Sequence, residues 1–591
     1  MIGLLLACTG EVEPVRPNVL LITLDTTRAD HVLNGRTPNL QALADRGVTF
    51  TRAYTPVPIT LPAHVTMMTG LDPQQHGVRN NGEQTPPDLT MLAETFTASG
   101  WTSAAVIAAA PVRAERGLDQ GFAVYDQGGL EKTGADIHAP ERPGTEVTQA
   151  ALTTLEALPE PWFLWVHYFD PHAPWVTPPQ GDETPYQAEI RILDEALQPL
   201  LAAVDADDVV LVTADHGESL GEGGEPTHGY LLHDPTLHVP FIVAGPEVPE
   251  GLTVDGTVRL KDVHPTLLKL AGLSEAPGLT TWTGGGPAYH ETVLPMEALG
   301  LDPVFAWTDA GQRLVESPTA RLFLLPDEQN DVAADDPERV AAMSARLQAE
   351  RGPIPLPSGR DMDAELVAMG YLDAAIGDGE VYDNLELIRV SMSLYSGTAM
   401  DTDELAKVLE RWPNAYELQQ RGLVLLRDTP HFDEAIVRAM DGFPDKAFIQ
   451  GMAALHLAPT DPERTLVALD RIDPETSPTG PVLAGVEAWR ILGRDDHAET
   501  WLRQVLQHPT PGPDTRYDRA RAAHAMGWLQ PAEADYAIVA AARPEDAEVH
   551  RNHGYVLAML GRTDEAIAAL DRSLALDEDP TTRARRDALQ P

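Results

Sequence analysis

The sequence predicts an α/β domain built on a largely parallel central sheet, followed by an all-α part. Two observations carry this. The first is a set of three continuous apolar runs, Val19–Leu24, Trp162–Tyr168 and Val209–Thr213, each leading directly into Asp or His residues. Unbroken apolar runs of this length suit strands buried on both faces, and their alternation with helical stretches argues for parallel pairing. The second is a change of pattern near residue 380. Beyond it, helix pairs carry Ala at a recurring place, Ala406, Ala435, Ala498, Ala534 and Ala566, with Thr465 filling the one long interval. The gaps are multiples of roughly 30–36 residues, the signature of a stacked helical repeat.

The chain has 591 residues, 90 of them acidic against 42 basic, for a net charge of −48. That surface repels nucleic acid and other polyanions, so no nucleic-acid partner is expected. An anionic substrate would need a local positive centre, which argues for a bound cation. The single cysteine, Cys8, excludes an intramolecular disulfide. It closes Leu5-Leu6-Ala7-Cys8-Thr9, which resembles a bacterial lipoprotein signal with Cys8 as the lipidated residue. Residues 1–17 are read as signal and tether. No later stretch approaches the ~20 apolar residues of a membrane span. The expectation is a lipid-anchored, extracytoplasmic protein of the bacterial cell envelope, periplasmic or on the outer membrane, touching the membrane only through its anchor.

Taken in order, strand Val19–Leu24 delivers Asp25 at its carboxyl end. Residues 38–46 read as a helix and 48–54 as a strand leading to Thr60. Pro62 favours the first turn of a short helix over 63–69, which places Thr60 at or just before a helix N-terminus. Unpaired N–H groups and the helix dipole favour an anion there. Residues 89–100 and 102–108 form a helix–strand pair. Strand Trp162–Tyr168 runs into Asp170 and His172, and strand Val209–Thr213 into Asp215 and His216, with a helix over 186–204 between them. Residues 238–243 continue the sheet and 262–272 form a helix. Ligands bind beyond the carboxyl ends of such strands, and three strands each place Asp or His there. Residues 352–379, rich in Pro, Gly and Asp, read as a linker between a catalytic domain over 18–351 and a repeat domain over 380–591.

Asp25, the segment Thr60-Leu61-Pro62-Ala63-His64 and Asp215-His216-Gly217 together resemble the sulfatase branch of the alkaline phosphatase superfamily. The resemblance spans roughly residues 18–370 and implies that family's sandwich, with a smaller antiparallel subdomain over about 275–350. Sulfatases place Cys or Ser where this chain has Thr60, oxidise it to formylglycine, and carry Arg where this chain has His64. Thr cannot become that aldehyde, so no formylglycine is expected. Thr-x-Pro-x-His is instead similar to nucleotide pyrophosphatase/phosphodiesterases, and the segment from Asp215 to His228-Gly229 looks like phosphoethanolamine transferases. Both groups use Thr as nucleophile. The helical part looks like tetratricopeptide repeats, which implies a protein or peptide partner.

The resemblance implies a catalytic set of Thr60, His172, His228 and His64, and a cation held by Asp25, Thr60, Asp215 and His216. Calcium-binding sulfatases usually have a second Asp after the first. Thr26 stands there, which favours Zn²⁺ or Mn²⁺ over Ca²⁺. One ion is expected, with a second at Asp170, His172 and His228 as the alternative. His64 either binds substrate oxygens or caps the helix. Asn80 and Asn81 are candidates to reach the pocket, and Gly223 stands where many relatives carry another His. The expected function is metal-dependent hydrolysis of an anionic ester, a phosphodiester through a covalent Thr60 intermediate. The alternatives are a sulfatase, a phosphoryl transferase to an envelope glycan or lipid, and, in another class, a scaffold whose working part is the repeat domain.

Overall fold

The computed structural model describes residues 16–130, 142–274, 278–279, 281–299, 301–353, 380–396, 401–413, 415–508 and 512–590. Cys8 and most of the expected linker lie outside them. Among the described residues no helix is long and apolar enough to cross a membrane. The chain divides into two compact units, with the division between residues 399 and 400.

The first unit is built on β1 (Val19–Leu24), β2 (Gly47–Tyr54), β3 (Thr102–Val106), β4 (Val124–Asp126), β5 (Trp162–Tyr168), β6 (Val209–Thr213), β7 (His238–Val239), β8 (Phe241–Ala244) and β9 (Leu252–Arg259). The sheet order is β4-β3-β5-β1-β6-β8-β2-β7, with β9 also paired to β2. From β4 to β6 every pairing is parallel, and β8 turns antiparallel to β6. β1, β5 and β6 are buried along their whole length, as their unbroken apolar character requires. The strand expected over 238–243 is interrupted at Pro240, which has no N–H for the ladder, and so appears as β7 and β8.

The helices of this unit are α1 (Pro38–Asp45), α2 (Thr60–Thr69), α3 (Pro73–His76), α4 (Leu92–Ala98), α5 (Gly144–Ala157), α6 (Pro185–Ala203), α7 (Asp234–Leu237), α8 (Val263–Leu270), α9 (Leu294–Leu299) and α10 (Pro337–Glu350). All ten residues of α2 are buried, consistent with a helix that has no charged face. The antiparallel subdomain is present as β10 (Ala288–Thr292), β11 (Val304–Asp309), β12 (Gln312–Ser317) and β13 (Thr319–Leu324). Met343 and Leu347 of α10 pack on Tyr289, Phe305, Trp307, Leu314 and Leu322 to form its core.

The boundary expected at 380 needs correction. Residues 380–396, with α11 over Leu385–Ser396, belong to the first unit. Arg321 of β13 pairs with Glu380 and lies 4.4 Å over the ring of Tyr382, and the amide of buried Val381 donates to Ser317 Oγ. These contacts hold the segment to the small sheet.

The second unit is all helical: α12 (Thr402–Arg411), α13 (Tyr416–Leu426), α14 (Phe432–Gly442), α15 (Ala447–Leu457), α16 (Pro462–Asp470), α17 (Thr479–Ile491), α18 (Asp495–Val505), α19 (Pro513–Ala525), α20 (Leu529–Ala542), α21 (Ala547–Met559), α22 (Thr563–Leu576) and α23 (Pro580–Asp587). Ala435, Thr465, Ala498 and Ala566 are buried as expected, but Ala534 is exposed and Ala532 holds the buried place. Close approach fixes Gly485 and Gly554: a Cβ would stand 2.2 Å from the Trp501 ring at the first and 2.7 Å from Leu570 at the second. A polar device repeats as well. Buried Gln419 donates to the carbonyls of Leu409 and Trp412, and buried Gln450 donates at the same offsets to Met440 and Phe443. Each satisfies orphan carbonyls at the end of the preceding helix.

Candidate active site

The carboxyl ends of β5, β1 and β6 lie side by side and deliver the site. Asp25 follows β1, and its amide donates to the Tyr168 carbonyl at 2.9 Å. Thr26 next to it is held at φ 50°, a left-handed conformation that costs a β-branched residue of order 1–3 kcal/mol. That turn lets the Thr26 amide reach Asp215 Oδ1 at 3.3 Å, where the His216 amide also donates at 2.8 Å. Asp215 Oδ2 is fully buried and has no hydrogen-bond partner among the described residues. Burial and the nearby Asp25 charge push the Asp215 carboxyl up to about 8.

Thr60 opens α2 from the other side. The helix cap is Ile59, so Thr60 is the first helical residue and not the cap. Asn81 does reach this helix end: its Oδ1 accepts from the Leu61 amide at 2.8 Å. Asn80 turns away to Glu297. Thr60 Oγ1 lies 3.4 Å from His216 Nε2.

Hydrogen-bond partners sort the imidazoles. His216 Nδ1 lies 2.9 Å from the Gly217 carbonyl, which can only accept. The proton is therefore on Nδ1, and the Nε2 lone pair faces Thr60 and Asp215 Oδ2, the latter at 3.6 Å. His64 is the opposite case. Its Nδ1 donates to the Thr60 carbonyl at 2.8 Å, and its Nε2 meets Thr23 Oγ1 at 3.1 Å. Thr23 Oγ1 accepts from Trp165 Nε1 at 2.9 Å, leaving its own hydrogen for His64. Burial pulls His64 down to about 3, so the ring is neutral, enclosed and saturated. The expectation that His64 binds substrate oxygens or caps the helix is thus replaced: it braces the first turn of α2 against β1 and β5.

Two groups of metal-ligating side chains occur among the described residues, Asp25–Asp215–His216 and His64–His167–Asp215, each with ligand atoms within 4.8 Å of one another. Only the first offers a free imidazole lone pair. Two buried carboxylates, one oriented imidazole and the Thr60 hydroxyl form a donor set that fits a divalent cation, and the orphaned Asp215 Oδ2 is the observation that asks for one. His167 was not singled out from the sequence. A lone His near the carboxyl end of an otherwise apolar strand was the available signal.

His228 and His172 complete the cluster. The His228 ring centroid lies 4.4 Å from that of His216 and 5.3 Å from that of His172. His228 Nδ1 meets Glu218 Oε1 at 2.9 Å, and burial moves both groups toward neutrality, Glu218 up to about 8 and His228 down to about 4. His172 donates from Nδ1 to the Ala173 carbonyl at 2.6 Å and stacks on Phe169. Asp170 does not join them. It accepts from the Gly144 amide at the start of α5 and belongs to neither ligand group, so the structure does not assemble a second ion site at Asp170, His172 and His228. Gly223 stands at φ 62°, where an added Cβ would lie 3.1 Å from Leu231 and 3.4 Å from His233 Nδ1.

A largely parallel sheet thus carries two buried carboxylates, an oriented imidazole and a helix-borne hydroxyl past its strand ends. Residues 17–273 match the family model described as Sulfatase. An ulvan-active sulfatase of Formosa agariphila is 26% identical over 345 residues, 46% of this chain and 67% of that protein. Choline-sulfatase of Rhizobium meliloti is 24% identical over 470 residues, 62% of this chain and 90% of its own length. Among solved structures, the phosphonate monoester hydrolase of Agrobacterium radiobacter aligns over 56% of this chain and 95% of that one, with 21% identity and a TM-score of 0.48.

Proposed function

We propose that the first unit hydrolyses phosphodiesters through a covalent Thr60 intermediate. The observation that carries this reading is the 3.4 Å approach of Thr60 Oγ1 to the His216 lone pair, beside Asp25 and Asp215 at the start of a fully buried helix. Asp25, Asp215 and His216 would hold a divalent cation, Zn²⁺ or Mn²⁺ by the donor set, which would supply a lowered hydroxyl pKa and charge withdrawal from phosphoryl oxygens. Thr60 Oγ1 attacks phosphorus as its proton passes to a neutral imidazole, that of His172 or His228, the bond to the alcohol oxygen breaks, and the imidazole hands the proton to the departing oxygen. Water then attacks the phosphoryl-Thr, the bond from phosphorus to Oγ1 breaks, and the same imidazole takes the water proton and returns it to Oγ1. The α2 dipole favours the anion throughout.

The chemistry of Thr favours phosphorus. Formylglycine releases sulfate by elimination from its hydrate, an exit that Thr lacks, whereas a phosphoryl-Thr can be displaced by water. A sulfate ester is the second reading, and the names of the two curated relatives favour it. We further propose that the helical unit binds a protein or peptide as a tetratricopeptide array, and that Cys8 anchors the chain in the cell envelope. Both rest on sequence pattern.

The test is hydrolysis of matched phosphodiesters and sulfate monoesters with one leaving group, by purified protein loaded with one metal. Faster turnover of the phosphodiester is expected. A sulfate rate ten times higher would mean about 1.4 kcal/mol of preference the other way and would require a sulfatase mechanism without formylglycine.

A further inference from the structure

His167 is fully buried in β5, aligned with Thr23 of β1. Its Nδ1 lies 3.4 Å from the amide of Ala108, just past β3. A backbone amide can only donate, so Nδ1 is the acceptor and the ring proton sits on Nε2. That Nε2 lies 3.4 Å from Asp25 Oδ2, close to it but without a formed hydrogen bond between the two atoms. The His64 ring packs edge-on against it at 4.9 Å and keeps it from turning. We propose that His167 is a positioning residue for Asp25: its Nε2–H holds the carboxylate in place for the cation, so that β3, β5 and β1 set the metal site together. His167 is then not a ligand, although it stands close enough to be mistaken for one.

The inference rests on Asp25 being a metal ligand, as proposed above, and its test needs no ester substrate. The full-length chain is stripped of metal and loaded with Zn²⁺ or Co²⁺. X-ray absorption counts the imidazoles around the ion, and titration gives stoichiometry and affinity for wild type, His167→Gln and His167→Phe. One ion with one imidazole, that of His216, is expected in all three. His167→Gln keeps an N–H donor and should bind within about threefold of wild type, while His167→Phe should bind 10–100-fold more weakly, the usual cost of losing a supporting partner. Two imidazoles in wild type falling to one in His167→Gln would make His167 a ligand and overturn the proposal. Two ions per chain, or wild-type affinity in a folded His167→Phe, would overturn it as well. The imidazole count in wild type decides between ligand and support even if His167→Phe fails to fold. A wild-type protein that binds no divalent ion would instead remove the metal-dependent reading beneath it.

Discussion

A threonine that caps a helix has its hydroxyl turned back onto its own amides. Thr60 is released from that duty, because the cap is Ile59 and the Leu61 amide is taken by Asn81. Its Oγ1 faces the His216 lone pair instead. Thr60→Ala should therefore lower kcat by roughly 10⁴-fold or more while metal content and melting temperature stay close to wild type. Wild-type turnover in that variant would exclude nucleophilic catalysis by Thr60. The titration of the site gives a second expectation. Asp215, held up to about 8, and Glu218, also up to about 8, keep protons in the folded state that the unfolded chain gives up above ~4. They thus lower stability as pH rises. Buried His216 and His167, both down to about 4, act oppositely, since the unfolded chain takes up their protons below ~6.5. The opposed slopes overlap only below ~6.5. Metal-free protein should therefore lose melting temperature from pH ~6.5 to about 8, and saturating Zn²⁺ or Mn²⁺ should flatten that fall. A metal-free melting temperature that rises over the interval would contradict the assignment. The sequence made Asp25, Thr60, Asp215, His216 and His228 legible because each stands at a motif or just past a strand. It did not disclose the bracing role of His64, or His167 at all, because those depend on which atom a neighbouring strand presents.

Among the elements, the strands were the most legible, since β1, β5 and β6 are apolar on both faces and nothing in their sequences competes with that. β4 and α5 had no such signal: β4 has three residues and sits at the sheet edge, and α5 mixes Thr and Glu with its apolar positions. In the helical unit the period is readable, but it points to Ala534 where Ala532 is the buried residue, because alanines abound there and period alone cannot choose between neighbours two apart. The buried glutamines give a sharper register mark. Gln450 Nε2 donates to the carbonyls of Met440 and Phe443, and only the first of these has a second side-chain donor, Arg471, among the described residues. Gln450→Ala should destabilise the helical unit by about 1–3 kcal/mol, the cost of stranding a buried acceptor, and leave ester hydrolysis by the first unit unchanged. Chemical denaturation followed by circular dichroism, alongside the ester assay, would check both halves.

At the scale of the whole molecule, a net charge of −48 means that an anionic ester would gain by binding at the acidic strand ends only with the proposed cation in place. Every residue placed in that site lies between Asp25 and His228. The proposed site thus draws on the first unit, and that unit does not end where composition suggests. A polar linker reads as a boundary near 380, whereas Glu380, Val381 and Tyr382 are seated on the small sheet through Arg321 and Ser317. Two fragments separate composition from packing. Residues 16–399 should fold and hydrolyse the best small ester with kcat within about threefold of the full chain, since neither ligand nor imidazole is lost. Residues 16–378 should keep the metal site but leave Arg321 without its carboxylate and uncover the sheet beneath Val381. Val381, Leu387, Ile388 and Val390 are all buried, and losing Val381 with the Arg321–Glu380 pair alone amounts to about 2–4 kcal/mol, which should lower the melting temperature by several degrees or more. Equal melting temperatures for the two fragments would show that residues 380–396 add nothing to the first unit. A folded but inactive 16–399 fragment would show that the helical unit takes part in the reaction.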